Sequence, residues 1–575
     1  MRIKMCVFVL AFAGFGPWAR PGLAQDSSAR VKAIQARLAE LRKNFEKLPF
    51  SVQATMSEQR RLLGLEQLAG RVAVKGSVFV PTFPSSSDHA STSESPATVN
   101  GVVSVNDPRR DLAFSRFGGY SNTTSSTARC GNQVVVGYNR SASLLETFIA
   151  ATGGISFSGV AVSSDGGERF RDLGFTPPGP NATDFAFGEP TVTCADASRF
   201  YYVQMYSTIG FNNQSPTSIA LSASNDGGDT WSDPAPVVNK SQSHILDSPW
   251  SAIDPSNHKR IYVSYRDIDF SGTNSNCLPG DLRTAIEVVA SKNGGKTFDA
   301  PIVAAEQCFS NLFEIVLASR VAVDSHGRVY VAWQDTQASP VISQDIAISS
   351  FVPGKTPSAP VIIDQVVQGG AEAFHTLNIS DEFILQGGFQ NYRGIDLAVD
   401  HSRGAHDGEV YVVWNDARNK SAPDEFDLFA GLYFFDDVMF SRSADGVAFS
   451  PTTQVNGDAQ PKIGRGFDHF QPAIAVDRTG KVAVCWKDRR KDPENYRFER
   501  FCAGSTDTGS TWVESRIGGT LSSPSRGQDR VINPDTIGNY DALASDFLRQ
   551  SDGFTGAFQV TTSGMHPDIK AHHFN

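Results

Sequence analysis

Seven short segments repeat one hydrophobic pattern: three or four β-branched or small residues, then an aromatic, then polar residues. They are VVVGYNR (134–140), FYYVQMY (200–206), IYVSYRD (261–267), VYVAWQD (329–335), VYVVWND (410–416), VAVCWKD (482–488) and FTGAFQV (554–560). Each reads as a strand, because β-branched and aromatic side chains suit a pleated, half-buried surface. Most are preceded by another short apolar run, such as RVAVDSHG (320–327) or AIAVDRTG (473–480), whose Asp and Gly form the turn into the next strand.

A second signal runs in phase with the first. SSDGGERF (163–170), SNDGGDTW (224–231), SKNGGKTF (291–298) and STDTGSTW (505–512) share the pattern Ser-x-Asp-x-Gly-x-Thr-Trp/Phe, and SADGVAF (443–449) is a shortened copy. Successive copies start 61, 67, 152 and 62 residues apart, so the long step spans two units with one copy lost. Asp and Ser side chains bond the turn backbone, Gly takes a positive φ, and the aromatic plugs the space between sheets. The segment therefore reads as a staple of the fold rather than a site. Each unit holds four strands, with the staple between the third and fourth.

Four-stranded sheets repeated in this way predict an all-β chain, a β-propeller of seven blades, with six as the alternative. The last unit has no staple. Its strands are DALASDF (541–547), FTGAFQV and DIKAHHF (568–574), and NGVVSVND (100–107) supplies the fourth, closing the ring. On these repeats the chain resembles the Asp-box, or BNR-repeat, sialidase-like propeller superfamily. The resemblance covers all but roughly the first hundred residues, and that superfamily includes both enzymes and binding proteins.

The first hundred residues differ in kind. Arg2 and Lys4 precede an apolar run (5–14), and GLA stands before Gln25, the pattern of an export signal over 1–24. Val31, Ile34, Leu38, Leu41, Phe45 and Leu48 form an amphipathic helical stripe. TMSE at 55–58 matches a capping box for a second helix, so 25–80 is a short helical segment. Residues 81–99 are a Ser/Thr/Pro-rich linker, and 100–575 the propeller.

Composition narrows the partners. The formal charge is −10; Arg2, Lys4 and Arg20 leave with the signal and no acid does, which takes it to −13. So acidic a surface disfavours nucleic acid or an anionic membrane, and no later apolar stretch is long enough to span a bilayer. The expected location is secreted or periplasmic, with the oligomeric state open. Cys6 leaves with the signal, and the remaining six cysteines suit three disulfides in an oxidising compartment. Cys485 and Cys502 flank one hairpin, Cys277 and Cys308 fall in loops on one face, and Cys130 with Cys194 remains by elimination. No spacing calls for a cofactor, although the acid pairs Asp267/Asp269 and Asp436/Asp437 could offer oxygens to a structural Ca²⁺.

In a propeller, the loops entering first strands and leaving second strands share one face. Entering first strands are Glu189, Asp247, Arg320, Arg393, Asp468, His469, Tyr540 and Asp541. Leaving second strands are Arg140, Arg266, Asp267, Asp335, Asp416, Arg418, Asp488 and Arg489. The Trp-x-Asp endings recur in three blades and read as turn elements, and His469 reads as a packed or hydrogen-bonded histidine. The superfamily's enzymes hold a sialic-acid carboxylate with three arginines and use Tyr, assisted by Glu, as nucleophile and Asp as acid/base. The resemblance implies Arg320, Arg393 and Arg418 as the arginines and Tyr540 as the nucleophile. Asp541 and Asp247 are the candidate catalytic carboxylates, and Glu189 and Arg266 complete the substrate-binding set. The family's Phe/Tyr-Arg-Ile-Pro motif is absent from 115–130. Two readings therefore stand: an exported exo-glycosidase of sialidase type acting on terminal acidic sugars, and a non-catalytic propeller binding glycan or protein.

Overall fold

The computed structural model describes residues 101–574 apart from 111, 115–116, 120, 151–152, 209–216, 310–314, 338–342, 367–370, 373–382, 386–388, 392–393, 420–434, 459–465, 523–537 and 562–566. The export signal, helical segment and linker expected over 1–99 lie outside these residues, as does Arg393.

Seven antiparallel sheets follow one another along the chain. The innermost strands are Asn122–Cys130, Asp184–Cys194, His244–Ile253, Ile315–Val323, Ile395–Val399, His469–Val476 and Ala542–Ser545. Each packs beside its two neighbours in order and the last beside the first, so the ring closes. The seven runs that opened the sequence analysis are the second strands. The seventh sheet takes its outermost strand from the N-terminal side: Val102–Ser104 pairs with Pro567–Phe574, Val102 opposite His572. Smaller elements lie outside the pattern. Ser141–Ala150 is a helix inserted after the second strand of blade 1, and Ile155–Ser156 adds a parallel strand to blade 2. A small sheet of Ala371–Glu372, Phe383–Leu385 and Phe389–Asn391 intervenes between blades 4 and 5.

The cores lie between blades. Tyr411, Val413 and Phe440 of blade 5 pack against Ile474, Val484, Trp486 and Phe501 of blade 6, and equivalent clusters join blades 3 to 4 and 4 to 5. Trp333, Trp414 and Trp486 are fully buried at the same place in successive second strands. Burying each such side chain stabilises the fold by roughly 2–3 kcal/mol. The Trp-x-Asp ending follows from this burial. Residues two apart face the same side of a strand, and in blades 5 and 6 the Asp accepts the indole N–H: Trp414 Nε1 to Asp416 Oδ2 at 3.2 Å, Trp486 Nε1 to Asp488 Oδ2 at 2.7 Å. The same carboxylates accept the backbone N–H two residues on, at Arg418 (2.8 Å) and Arg490 (2.9 Å), and so end the strand in a turn.

The Ser-x-Asp-x-Gly segments lie between third and fourth strands. In the copy at 505–512, Ser505 Oγ accepts Gly509 N–H at 2.8 Å and donates to Asp507 at 2.7 Å, while Asp507 accepts Thr511 N–H at 2.9 Å. The copies at 163, 224, 291 and 443 repeat these bonds. Gly228 shows why the motif needs glycine. Its φ is +98°, and a Cβ would lie 2.7 Å from Val135 of the neighbouring blade. Trp512 of blade 6 meets Phe440 of blade 5 edge-on at 5.2 Å.

Three disulfides join Cys130 to Cys194, Cys277 to Cys308 and Cys485 to Cys502, the pairing read from the sequence. No helix among the described residues is long and apolar enough to cross a membrane.

Candidate functional site

The axis is built from a repeated irregularity. Five innermost strands carry a register shift against their second strand, between Thr123 and Ser126, at Val203/Met205 opposite Glu189, between Asp247 and Trp250, between Leu317 and Arg320, and between Phe470 and Ala473. At each bulge one non-glycine residue takes a left-handed backbone: Thr124 (φ 54°), Glu189 (52°), Ser248 (51°), Ala318 (56°) and Gln471 (51°). Each costs on the order of 1 kcal/mol relative to regular strand. In three of them proline follows, at Pro190, Pro249 and Pro472, where an irregular pairing tolerates the missing N–H.

Neighbouring blades stabilise the bulges. Ser126 Oγ accepts Val192 N–H at 2.9 Å, Thr191 Oγ1 accepts Ser251 N–H at 3.2 Å, and Asp396 Oδ2 accepts Ile474 N–H at 2.9 Å. Asn139 Oδ1 accepts the N–H of the bulged Glu189 at 2.7 Å.

These bulges bring Glu189, Asp247, Arg266, Arg320 and Tyr540 together. The Glu189 carboxyl is fully buried beside that of Asp247, and the two share the Ser248 N–H. Glu189 accepts this N–H at 3.1 Å and also accepts from the Asn539 amide. Asp247 pairs with Arg266 directly across the hairpin and accepts Ser248 N–H at 2.9 Å. Burial, then the Asp247 charge, pushes Glu189 well above the usual carboxylate range. Burial pushes Asp247 upward too, but Arg266 outweighs it and holds this carboxyl below its ordinary value. The two carboxyls are thus driven apart, Glu189 toward holding a proton and Asp247 toward ionisation.

Arg320 lies beside this pair. Its guanidinium carbon is 4.0 Å from the Trp250 ring centroid and 5.2 Å from that of Tyr540. Nη1 donates to the Ser319 carbonyl at 3.0 Å, Nε stands 3.6 Å from Asp396 Oδ1, and Nε makes no hydrogen bond. Tyr540 meets Trp250 edge-on at 5.2 Å and donates its hydroxyl to the Pro190 carbonyl at 2.7 Å. Burial, followed by the Glu189 charge, raises its phenol well above the ordinary value. Trp250, Ser248 and Asn539 are partly exposed and form the approach.

Two sequence candidates lie elsewhere. Asp541 adjoins Tyr540 but is held by Lys487 (2.7 Å) and Arg500 (3.1 Å) between blades 6 and 7. Arg418 binds Asp416 and, at 2.6 Å, Asp364 on the outermost strand of blade 4. Arg393 lies outside the described residues. The acid pairs weighed for calcium have protein partners. Asp267 meets Lys240, His244 and Arg283, and Asp437 accepts from Asn456 and Asn419. Trp250 and Asn539 are not among the residues that loop position picks out. The usable signal for Trp250 is the Ser-Pro pair just before it, which marks a bulge inside an apolar run.

No family model and no curated protein matches the chain. Solved structures similar to it include the Hadza microbial sialidase Hz136, at 13% identity over 74% of each chain with a TM-score of 0.38. An α-L-arabinanase of Penicillium chrysogenum bound to arabinobiose is 10% identical over 69% of this chain and 94% of its own, with a TM-score of 0.41. An ulvan lyase of polysaccharide lyase family 25 is 11% identical over 81% and 96%, with a TM-score of 0.44. At such values these likenesses carry nothing about the chemistry of this chain's axial site.

Proposed function

We propose that the protein is an exported, glycan-processing propeller enzyme, and that the axial Glu189–Asp247 pair supplies its acid/base chemistry. The observation that carries this is a pair of buried carboxyls that share the Ser248 N–H and whose proton affinities are driven in opposite directions. Such separation is how a site holds an acid and a charged carboxylate together near neutral pH. Glu189 is the proton donor and Asp247 its charged partner, oriented by Arg266. Arg320 offers a cation to an acidic sugar, and the partly exposed Trp250 offers a flat face for a sugar ring. Tyr540, beside Glu189, takes the nucleophile's place in a sialidase-type reaction. Three disulfides support an oxidising, extracytoplasmic location.

A second reading, a non-catalytic glycan-binding propeller, is favoured by one observation. Both Glu189 oxygens and the Tyr540 hydroxyl already have protein partners. The test is turnover of a panel of fluorogenic glycosides, a sialoside first, and of uronate-containing polysaccharides, beside Glu189→Gln. The enzymatic reading expects a bell-shaped pH profile. Activity falls at low pH as Asp247 takes a proton and at high pH as Glu189 loses its own. A folded protein that turns over no sugar overturns that reading and leaves glycan binding, measured on an array.

A further inference from the structure

A second cluster lies on the propeller at the boundary of blades 5 and 6, apart from the Glu189 site. His469 opens the innermost strand of blade 6, and Asp488 ends the second strand directly opposite it. Asp458 sits in the connection from blade 5 to blade 6, after Thr453–Gln454. His469 is fully buried. Its Nδ1 lies 2.9 Å from the Asp436 backbone carbonyl, an oxygen that only accepts, so Nδ1 carries a proton. That leaves Nε2 as the ring's second position, turned away from the backbone.

Nε2 makes no hydrogen bond and has no exposed surface, yet two carboxylate oxygens face it. Asp458 Oδ2 is 3.2 Å away and Asp488 Oδ2 3.5 Å. Neither lies where an N–H on Nε2 would form a well-directed bond. Nδ1–H bonded to a carbonyl, with Nε2 turned toward anionic oxygens, is the usual disposition of a metal-ligating histidine. The spacing also fits: donors about 2.0–2.2 Å from one tetrahedral zinc ion stand roughly 3.3–3.6 Å apart. All three donor atoms lie within 4.8 Å of one another.

We propose that His469, Asp458 and Asp488 bind a divalent transition-metal ion, best matched by Zn²⁺, which ties the connection at Asp458 to the strand ends of blade 6. The surroundings orient the ligands. Asn456 Nδ2 donates to Asp458 Oδ1 at 3.1 Å, Trp486 Nε1 to Asp488 Oδ2 at 2.7 Å, and Arg490 Nη2 reaches both carboxylates, at 3.0 and 2.6 Å. Asp437 Oδ1, 3.4 Å from Nδ1, adds negative charge that offsets the guanidinium. Asp458 is the least buried of the three and gives the ion a route in. One imidazole nitrogen and two carboxylate oxygens suit zinc better than a hard cation such as Ca²⁺, which prefers oxygen ligands alone.

The test is titration of chelator-stripped mature protein with Zn²⁺, and with Co²⁺ as an optical probe, in wild type and Asp458→Asn. The expected result is one equivalent of Zn²⁺ per chain, a raised Tm, and visible Co²⁺ absorption. Asp458→Asn should weaken binding at least roughly tenfold while the metal-free variant keeps the wild-type near-UV circular dichroism. A folded wild type that takes up no stoichiometric Zn²⁺ overturns the proposal and leaves a protonated His469 bridging the carboxylates. Binding by Asp458→Asn equal to wild type overturns it as well. Neither readout depends on glycan turnover.

Discussion

The box turns and the axial bulges are both repeated around the ring, and they repeat in different ways. The turns repeat as sequence, because their bonds close within four residues: Ser505 to Gly509, Asp507 to Thr511. The bulges repeat as geometry, with Thr124, Glu189, Ser248, Ala318 and Gln471 in the same backbone state and no common side chain. One local motif serves every blade where the task is the same. At the axis, Glu189 of blade 2, Asp247 and Arg266 of blade 3, Arg320 of blade 4 and Tyr540 of blade 7 meet as different groups. A structural device can be copied unchanged, whereas a centre assembled from different side chains needs its copies to diverge.

Substitutions in the two regions should therefore have opposite signatures. Glu189→Gln keeps the shape and most hydrogen bonds but removes the proton; kcat/KM is expected to fall roughly 10²–10⁴-fold with little change in melting, and unchanged turnover would break the contrast. Asp396→Asn probes the axis through stability. Burial, opposed by Arg320, raises the Asp396 carboxyl to about 6. Its stabilising contribution is thus complete below pH ~4 and lost as pH rises through about 6. The variant should gain up to about 3 kcal/mol relative to wild type between pH 4 and 7, read from urea unfolding at each pH. Gly509→Ala places a methyl group against Phe440 at a φ of +86°. It should cost about 1–3 kcal/mol of stability and leave kcat alone. Ser505→Ala removes the hydroxyl's staple bonds to Gly509 and Asp507 and should cost about 1–2 kcal/mol in the same assay.

This difference also explains what could be read from the residues. The strands, the turns, the ring closure and the cysteine pairs depend on short-range pattern or simple parity, and all were visible. The axial contacts join distant positions. Ser248 reaches Glu189 across 59 residues and Asn539 reaches it across 350. Loop position alone does not separate a residue at the axis from one at the rim. Arg418 turns outward because Asp364 of the preceding blade's rim captures it. Asp541 is one residue from Tyr540, yet Lys487 and Arg500 hold its carboxylate between blades 6 and 7. Trp250 was passed over because it looks like an ordinary apolar residue in a first strand, and only the bulge brings it beside Arg320.

The pairing of Val102 with His572 fixes the order in which the molecule can be completed. A chain made from its N-terminus releases this first strand early, and its partner is among the last segments to emerge. Joining ends so far apart costs roughly 5 kcal/mol of chain entropy, and until that happens the sheet edge at Pro567–Phe574 stays open to other strands. A circular permutant that begins near Ala542 and joins the end of Pro567–Phe574 by a short linker directly to Val102–Ser104, without residues 1–99, would make all four strands of that blade local. It should refold faster and aggregate less, with the finished ring unchanged.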